Sequence, residues 1–286
     1  MRTHLPINVF AIIWMAIIAT GCNTGTKGNS ENPISYDSIL VEKTYHLLEN
    51  PDNPNCNLDI KFTYPRTYSD KAILKELQKN FISNYFGEDY EQLSPEEAVK
   101  KYTADYLAAY KDLEQDYKEE IAHSKDVPVE SWFSYYEMSS NEIMYNKDDI
   151  ISYTVGFENY TGGAHGAHAY NNHVLSLKTG KAITEEDIFV ADYQEKLAEI
   201  LVNQIAKQND LKKAKELEDI GFFSVDEIFP NGNFLVDDTG ITYSFNEYEI
   251  AAYVVGVTNV HLSYGEIRFL LLDESPISHI FTQAGF

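Results

Sequence analysis

The stretch Tyr160-Thr161-Gly162-Gly163-Ala164-His165-Gly166-Ala167-His168 sets three glycines and two histidines between segments of alternating apolar and polar residues. Glycine reaches backbone conformations that are costly for other residues, so three of them within five positions predict a tight, shaped loop. Before it, Trp132 to Tyr145 and Ile150 to Tyr160 read as strands with a turn at Asn146 to Asp149. After it, Tyr170 to Leu177 reads as a further strand that ends in the turn Lys178-Thr179-Gly180-Lys181. The loop is therefore a junction inside β structure.

Towards the N-terminus, Tyr36 to Leu48 and Asn57 to Tyr64 alternate at period two, as in Leu58, Ile60 and Phe62, and Pro65 is expected to end the second strand. Ile73, Leu74, Leu77, Phe81 and Ile82 follow helical spacing over Asp70 to Phe86, with Gly87 as the stop. Ser94-Pro95-Glu96-Glu97 carries a capping residue, a first-turn proline and the reciprocal glutamate of a capping box, so a long helix should follow. Its expected packing face is Ala98, Tyr102, Tyr106, Ala109 and Leu113.

Towards the C-terminus, Thr184-Glu185-Glu186-Asp187 starts a helical segment, and Ala191 to Gln208 has Leu197, Ile200, Leu201 and Ile205 at helical spacing. Asn233 to Val236 and Ile241 to Phe245 flank the hairpin signal Asp237-Asp238-Thr239-Gly240, and Val254 to Leu262 and Ile267 to Leu272 complete the folded part. Helices and strands mix without strict alternation. The predicted class is α+β: two mixed α/β subdomains with largely antiparallel sheets and helices packed against them. The expected division is a leader over 1–22, a flexible tether over 23–33, an N-terminal domain over 34–164, a C-terminal domain over 165–273 and a tail over 274–286.

Arg2, the apolar run from Ile7 to Ala19 and the small residues before Cys22 have the layout of a bacterial export signal, and the run is short of the about 20 residues that span a bilayer. Gly21-Cys22 resembles a lipobox, with Ala19 where leucine is usual, so Cys22 is the expected lipidation site and the membrane a partner through that lipid. Localisation at the bacterial cell envelope, periplasmic or surface-exposed, follows. Cys56 is then the one remaining cysteine, and no internal disulfide is expected. The formal charge is -23; without Arg2 there are 45 acidic against 21 basic residues, or -24. Such a field excludes nucleic acid as a partner and favours cationic proteins.

Tyr160-Thr161-Gly162-Gly163-Ala164-His165-Gly166, then Ser176-Leu177-Lys178-Thr179-Gly180-Lys181, then Asp238-Thr239-Gly240-Ile241-Thr242-Tyr243-Ser244-Phe245-Asn246-Glu247-Tyr248-Glu249-Ile250 resemble the paired extracytoplasmic domains of RsiV-type anti-sigma factors and PdaC-type peptidoglycan deacetylases. Asp59 to Pro65 looks like the opening of the partner domain, and the resemblance spans about residues 40 to 272. It implies a fold and an extracytoplasmic binding or sensing module whose partner is a lysozyme-like cationic protein or a peptidoglycan fragment. A sigma-binding segment and a deacetylase domain are not expected.

For chemistry, His165, His168 and His173 are the candidate metal ligands, which would make a metal-dependent enzyme acting on cell-wall glycans. Their spacing disfavours it: His165 and His168 are three apart in a loop entering a strand, and the nearest acid is Glu158. No nucleophile motif surrounds Ser176, Ser224 or Cys56, and no phosphate loop follows Gly163. No cofactor and no catalytic residue are assigned. A structural envelope lipoprotein is the third reading. The chain holds 21 tyrosines, and those at 135, 136, 153, 160 and 170 gather around the loop. Candidate binding residues are Tyr160, Gly162, Gly163, His165, His168 and Tyr170, with aromatic faces suited to sugars or protein interfaces.

Overall fold

The computed structural model describes residues 31–123, 130–163 and 165–283. Five strands, β1 (Ser35–His46), β2 (Asn55–Thr67), β3 (Tyr135–Lys147), β4 (Ile150–Tyr160) and β5 (Ala167–Ser176), form one sheet in that order. Only β2 and β3 are parallel; the other neighbours are antiparallel. Parallel neighbours need a long crossover, and here it carries the helices α1 (Lys71–Phe86), α2 (Pro95–Lys111) and α3 (Glu114–His123). A second sheet of β6 (Phe234–Val236), β7 (Gly240–Phe245) and β8 (Thr258–Ser263) follows α4 (Glu185–Ile188) and α5 (Gln194–Gln208); α6 (Tyr264–Ile267) and α7 (Ser278–Gln283) complete the chain. The architecture is α+β with two mostly antiparallel sheets.

Local chemistry sets the element ends. Asp70 caps α1 by accepting from the Ala72 and Ile73 amides at 2.8 and 3.1 Å, and Gly87, at φ 101°, ends it. Ser94 and Glu97 complete the capping box of α2. Asp148 and Asp149, at φ 53° and 58°, supply the two positive dihedrals of the tight β3–β4 turn.

One face of the large sheet is buried under α1 and α2. Leu58, Ile60, Phe62, Ile151, Tyr153, Val155 and Leu175 meet Leu77, Phe81, Ile82 and Tyr85 there, with the Phe81 and Tyr153 rings stacked at 4.1 Å. The opposite face is divided. At one end Tyr145, Ile150 and Val174 enter the core built by α5 and the second sheet. Among the described residues no helix lies over the rest of that face.

Several elements differ from the sequence expectation. β2 runs through Pro65 to Thr67: the ladder to β3 covers only Cys56 to Lys61, and β1 shifts register opposite Pro65, so the missing N–H removes no needed bond. On α2, Ala109 is exposed and Tyr110 is buried in its place, because a residue four places beyond Tyr106 keeps the inward row that three places leaves; the Tyr110 hydroxyl donates to the Phe133 carbonyl. A division at 164/165 cuts the β4–β5 hairpin, whose ten residue pairs carry the first sheet through Ser176. The segment after 273 is not a loose tail. Ile277, Ile280 and Phe281 are buried in the second core, and the His279 imidazole sits 2.7 Å from the Asp148 carbonyl. At the other end of the chain, Asn32 is buried: its side chain donates to the Ile150 carbonyl and accepts from the Asp149 amide, so the last tether residues clamp the β3–β4 turn.

The free edge of β5 is closed by side chains. The Tyr170 amide donates to Asn246 Oδ1 and the Asn172 amide to Asn233 Oδ1, at 2.8 and 2.7 Å, while the Tyr170 carbonyl accepts from Asn233 Nδ2 at 2.9 Å. These amides do what a neighbouring strand would do, and they tie the two sheets together.

Candidate functional site

The glycine loop turns at one end of the uncovered face. Gly162 and Gly163 sit at φ 87° and 109°, and Tyr160 closes the turn by donating to the Gly163 carbonyl at 2.9 Å. Gly166 is required by crowding: a β-carbon there would lie 2.9 Å from the Asn159 carbonyl oxygen and 3.0 Å from the Tyr136 hydroxyl. Ala164 lies outside the described residues, as does Cys22.

His165 leaves the loop and stacks on Tyr253, with ring centroids 4.3 Å apart and planes 23° apart. Tyr248 stacks on Tyr253 at 5.6 Å, and its hydroxyl is 3.3 Å from His165 Nε2. His165 Nδ1 is 2.8 Å from the Gly166 carbonyl, which can only accept; Nδ1 therefore carries the proton and Nε2 accepts from Tyr248. Tyr248 holds a positive φ of 64°, a strained conformation for a non-glycine residue, in making this contact.

Strand register then places the remaining residues. Glu158 pairs with His168, Gly156 with Tyr170 and Thr154 with Asn172, while Met138, Ser140 and Glu142 lie opposite them on β3 and Asp59 and Lys61 beyond on β2. All share the uncovered face, because every second residue of a strand does. Tyr136 stacks on Tyr160 at 6.2 Å and donates to Glu158 at 3.0 Å; this bond to a carboxylate pushes the Tyr136 phenol above its ordinary range. His168 Nδ1 stands 3.9 Å from Glu158. The Tyr170 ring lies over Gly156, where an added β-carbon would be 3.4 Å away.

Two grooves open on this face and meet at Tyr170. One, about 340 Å³, runs past Asp59, Met138, Gly156 and His168; the other, about 600 Å³, passes Glu142, Met144 and Thr154 to Thr242 and Asn259 of the second sheet. Leu40, Met138, Met144 and Tyr170 are exposed along it. Glu42 faces Asp59 directly across β1 and β2, a like-charge pair that costs stability. With Glu142 and Glu158 the face carries four carboxylates near Lys61.

Tyr160 and His168 flank Glu158 on this face and Tyr170 lines both of its grooves, while Gly162, Gly163 and His165 belong to the turn at its end. His173 does not join them. It is five residues from His168 on a strand and so points to the helix side, where its ring lies 5.1 Å from that of Tyr153 at a tilt of 36°; burial holds its pKa down to about 4. The three histidines do not converge, and among the described residues no group of three or more His, Cys, Asp or Glu is placed to hold a metal ion. Sequence reasoning missed Tyr248 and Tyr253, which reach His165 from more than 80 residues away, and the methionines of β3, whose outward parity only the sheet reveals.

An α+β pair of units with an uncovered, acidic sheet face defines the class of protein. The family model described as Deacetylase PdaC matches residues 51–168, and the one described as Protein of unknown function (DUF3298) matches residues 186–265. A crystal structure of a DUF3298 family member from Bacteroides fragilis is 32% identical, with a TM-score of 0.83, over 90% of this chain and 100% of that one. A DUF3298 family protein from Pseudomonas aeruginosa shares the fold at 13% identity, with a TM-score of 0.59 over 85% of this chain and 96% of its own. The chain belongs to the DUF3298 family. No curated protein matches it. The PdaC match points to an extracytoplasmic domain, and among the described residues no helix is long and apolar enough to cross a membrane.

Proposed function

We propose that this protein is a non-catalytic binding module of the bacterial cell envelope, anchored by lipid on Cys22, that receives a cationic protein of lysozyme type across the uncovered face of its large sheet. The observation that carries this reading is the composition of that face. Exposed Leu40, Met138, Met144 and Tyr170 are interspersed with Glu42, Asp59, Glu142 and Glu158. Contiguous exposed apolar groups mark interaction surfaces, methionine adapts to varied partners, and one-sign charge steers an oppositely charged protein. The overall charge of -23 extends the same field.

A pull-down of lysozyme by the full-length chain at low and moderate salt tests the reading. Retention at low salt that weakens as salt rises is the expected result, because surface charges are screened within about 10 Å at 0.1 M salt. No retention at low salt would reject it. The stacked His165, Tyr253 and Tyr248 rings support a second reading, a peptidoglycan fragment laid against an aromatic platform, which isothermal titration with muropeptides would detect. Catalysis at the histidine loop is the weaker reading, since His165, His168 and His173 face three different environments.

A further inference from the structure

A second cleft, about 480 Å³, opens on the other side of β5, where α1 of the first unit meets the segments around Ile183 and Gly232 of the second. It shares Asn172 with the groove that reaches the second sheet but opens towards α1, and seams between units are favoured places for ligand sites. Its polar groups are unevenly used. The Asn84 side chain donates to the Tyr153 hydroxyl at 2.7 Å, which leaves Asn84 Oδ1 as an acceptor. Glu185 is consumed by the Tyr193 hydroxyl and the Gly232 amide, at 2.7 and 3.0 Å. His173 lines the cleft beside Val174, yet its imidazole makes no hydrogen bond, and its Nε2 is closed off from solvent without a partner.

An orphaned buried polar atom calls for an explanation, and the two tautomers differ in cost. A buried N–H without an acceptor is rarer than a buried lone pair without a donor. The proton therefore sits on Nδ1, the nitrogen that is not closed off. Burial keeps the ring neutral at physiological pH, so this edge is a single N–H donor. The cleft thus offers a donor in His173 Nδ1 and an acceptor in Asn84 Oδ1, beside apolar walls from Val174, Ile183 and Phe234, with the exposed Glu186 among its other polar groups.

We infer that this cleft is a second binding site, and that it takes a secondary amide. The carbonyl of the ligand accepts from His173, its N–H donates to Asn84, and its small alkyl group lies against Val174 and Ile183. A carboxylate or phosphate in place of the amide would be repelled by Glu186. The same chemistry is presented by the acetamido group of a sugar and by a peptide bond.

The test is a titration of the full-length chain, with histidine side chains labelled by nitrogen-15, using N-acetylglucosamine, glucosamine and an N-acetylated dipeptide amide as probes. A saturable shift of the His173 ring signals with either acetylated probe, at least about 10-fold weaker with glucosamine, is the expected result, being the loss of roughly one hydrogen bond and its apolar contact. Which acetylated probe binds tells sugar from peptide. Isothermal titration of His173→Phe, which keeps an aromatic ring beside Tyr153, should show no binding; if that variant does not fold, Asn84→Ala should weaken binding about 10-fold. No saturable shift of His173 with any probe, or undiminished binding to a folded variant, would overturn the assignment.

Discussion

The His165 ring lies 4.3 Å from that of Tyr253, a contact between a glycine-loop side chain and a turn of the second unit. Both groups are at the surface, so the stack orders the end of the binding face more than it holds the fold. Tyr253→Ala should lower the unfolding free energy by only about 1 kcal/mol. The same change should weaken partner binding about 10-fold, as loss of an aromatic anchor does. Urea denaturation and titration calorimetry measure the two effects separately.

Charge on the open face should govern the rate of association. Replacing Glu142 and Asp59 together by lysine leaves the core untouched, since both side chains face solvent. Association with a cationic partner should slow about 10-fold at low ionic strength, with a smaller loss at high salt. Stopped-flow measurements across a salt series would show it. A rate independent of both mutation and salt would remove electrostatic steering from the account.

The C-terminal helix should be essential for stability. Phe281 is 1% exposed and touches Tyr264, with ring centroids 5.8 Å apart. Phe281→Ala should cost about 3 to 5 kcal/mol, the range for emptying an aromatic site in a packed core. Chemical denaturation with tryptophan or circular dichroism readout gives the value. A loss below about 1 kcal/mol would mean that the segment after 273 behaves as a tail.

His173 should make the fold sensitive to acid. Its folded pKa, about 4, lies below its ordinary 6.5, so the folded state binds the proton less readily than the unfolded one. The stability linked to this group is complete above 6.5 and is lost as pH falls through 4. The loss amounts to about 3 kcal/mol. In His173→Phe that share of the pH dependence should vanish, while the carboxylates continue to contribute. Thermal or urea unfolding of both proteins between pH 4 and 7 compares them directly.

Much of the fold was legible because it rests on local signals. Asp70 with Gly87, the Ser94–Glu97 box and the Asp237–Gly240 turn each specify an end or a reversal through contacts a few residues apart. The candidate surface was half legible. Tyr160 to Tyr170 stood out by composition, but their neighbours come from pairing at long range: β3 lies beside β2 through a crossover that no local pattern announces, and only that pairing sets Asp59 next to Met138. The tail was misread because Ile277, Ile280 and Phe281 form too short a run for periodicity, and their burial depends on the second core. Pro65 was misread because a proline ends a strand only where its amide is needed.

The uncovered sheet face is most directly tested through its methionines. Met138 and Met144 are exposed there, so in the methyl-labelled full-length chain their two signals, assigned apart from those of Met1 and Met15, report on that face. On addition of lysozyme at low ionic strength both methyl signals should shift or broaden in a saturable way, and the change should reverse as salt is added. Absence of any change, or binding that leaves both methyls unmoved, would contradict the account.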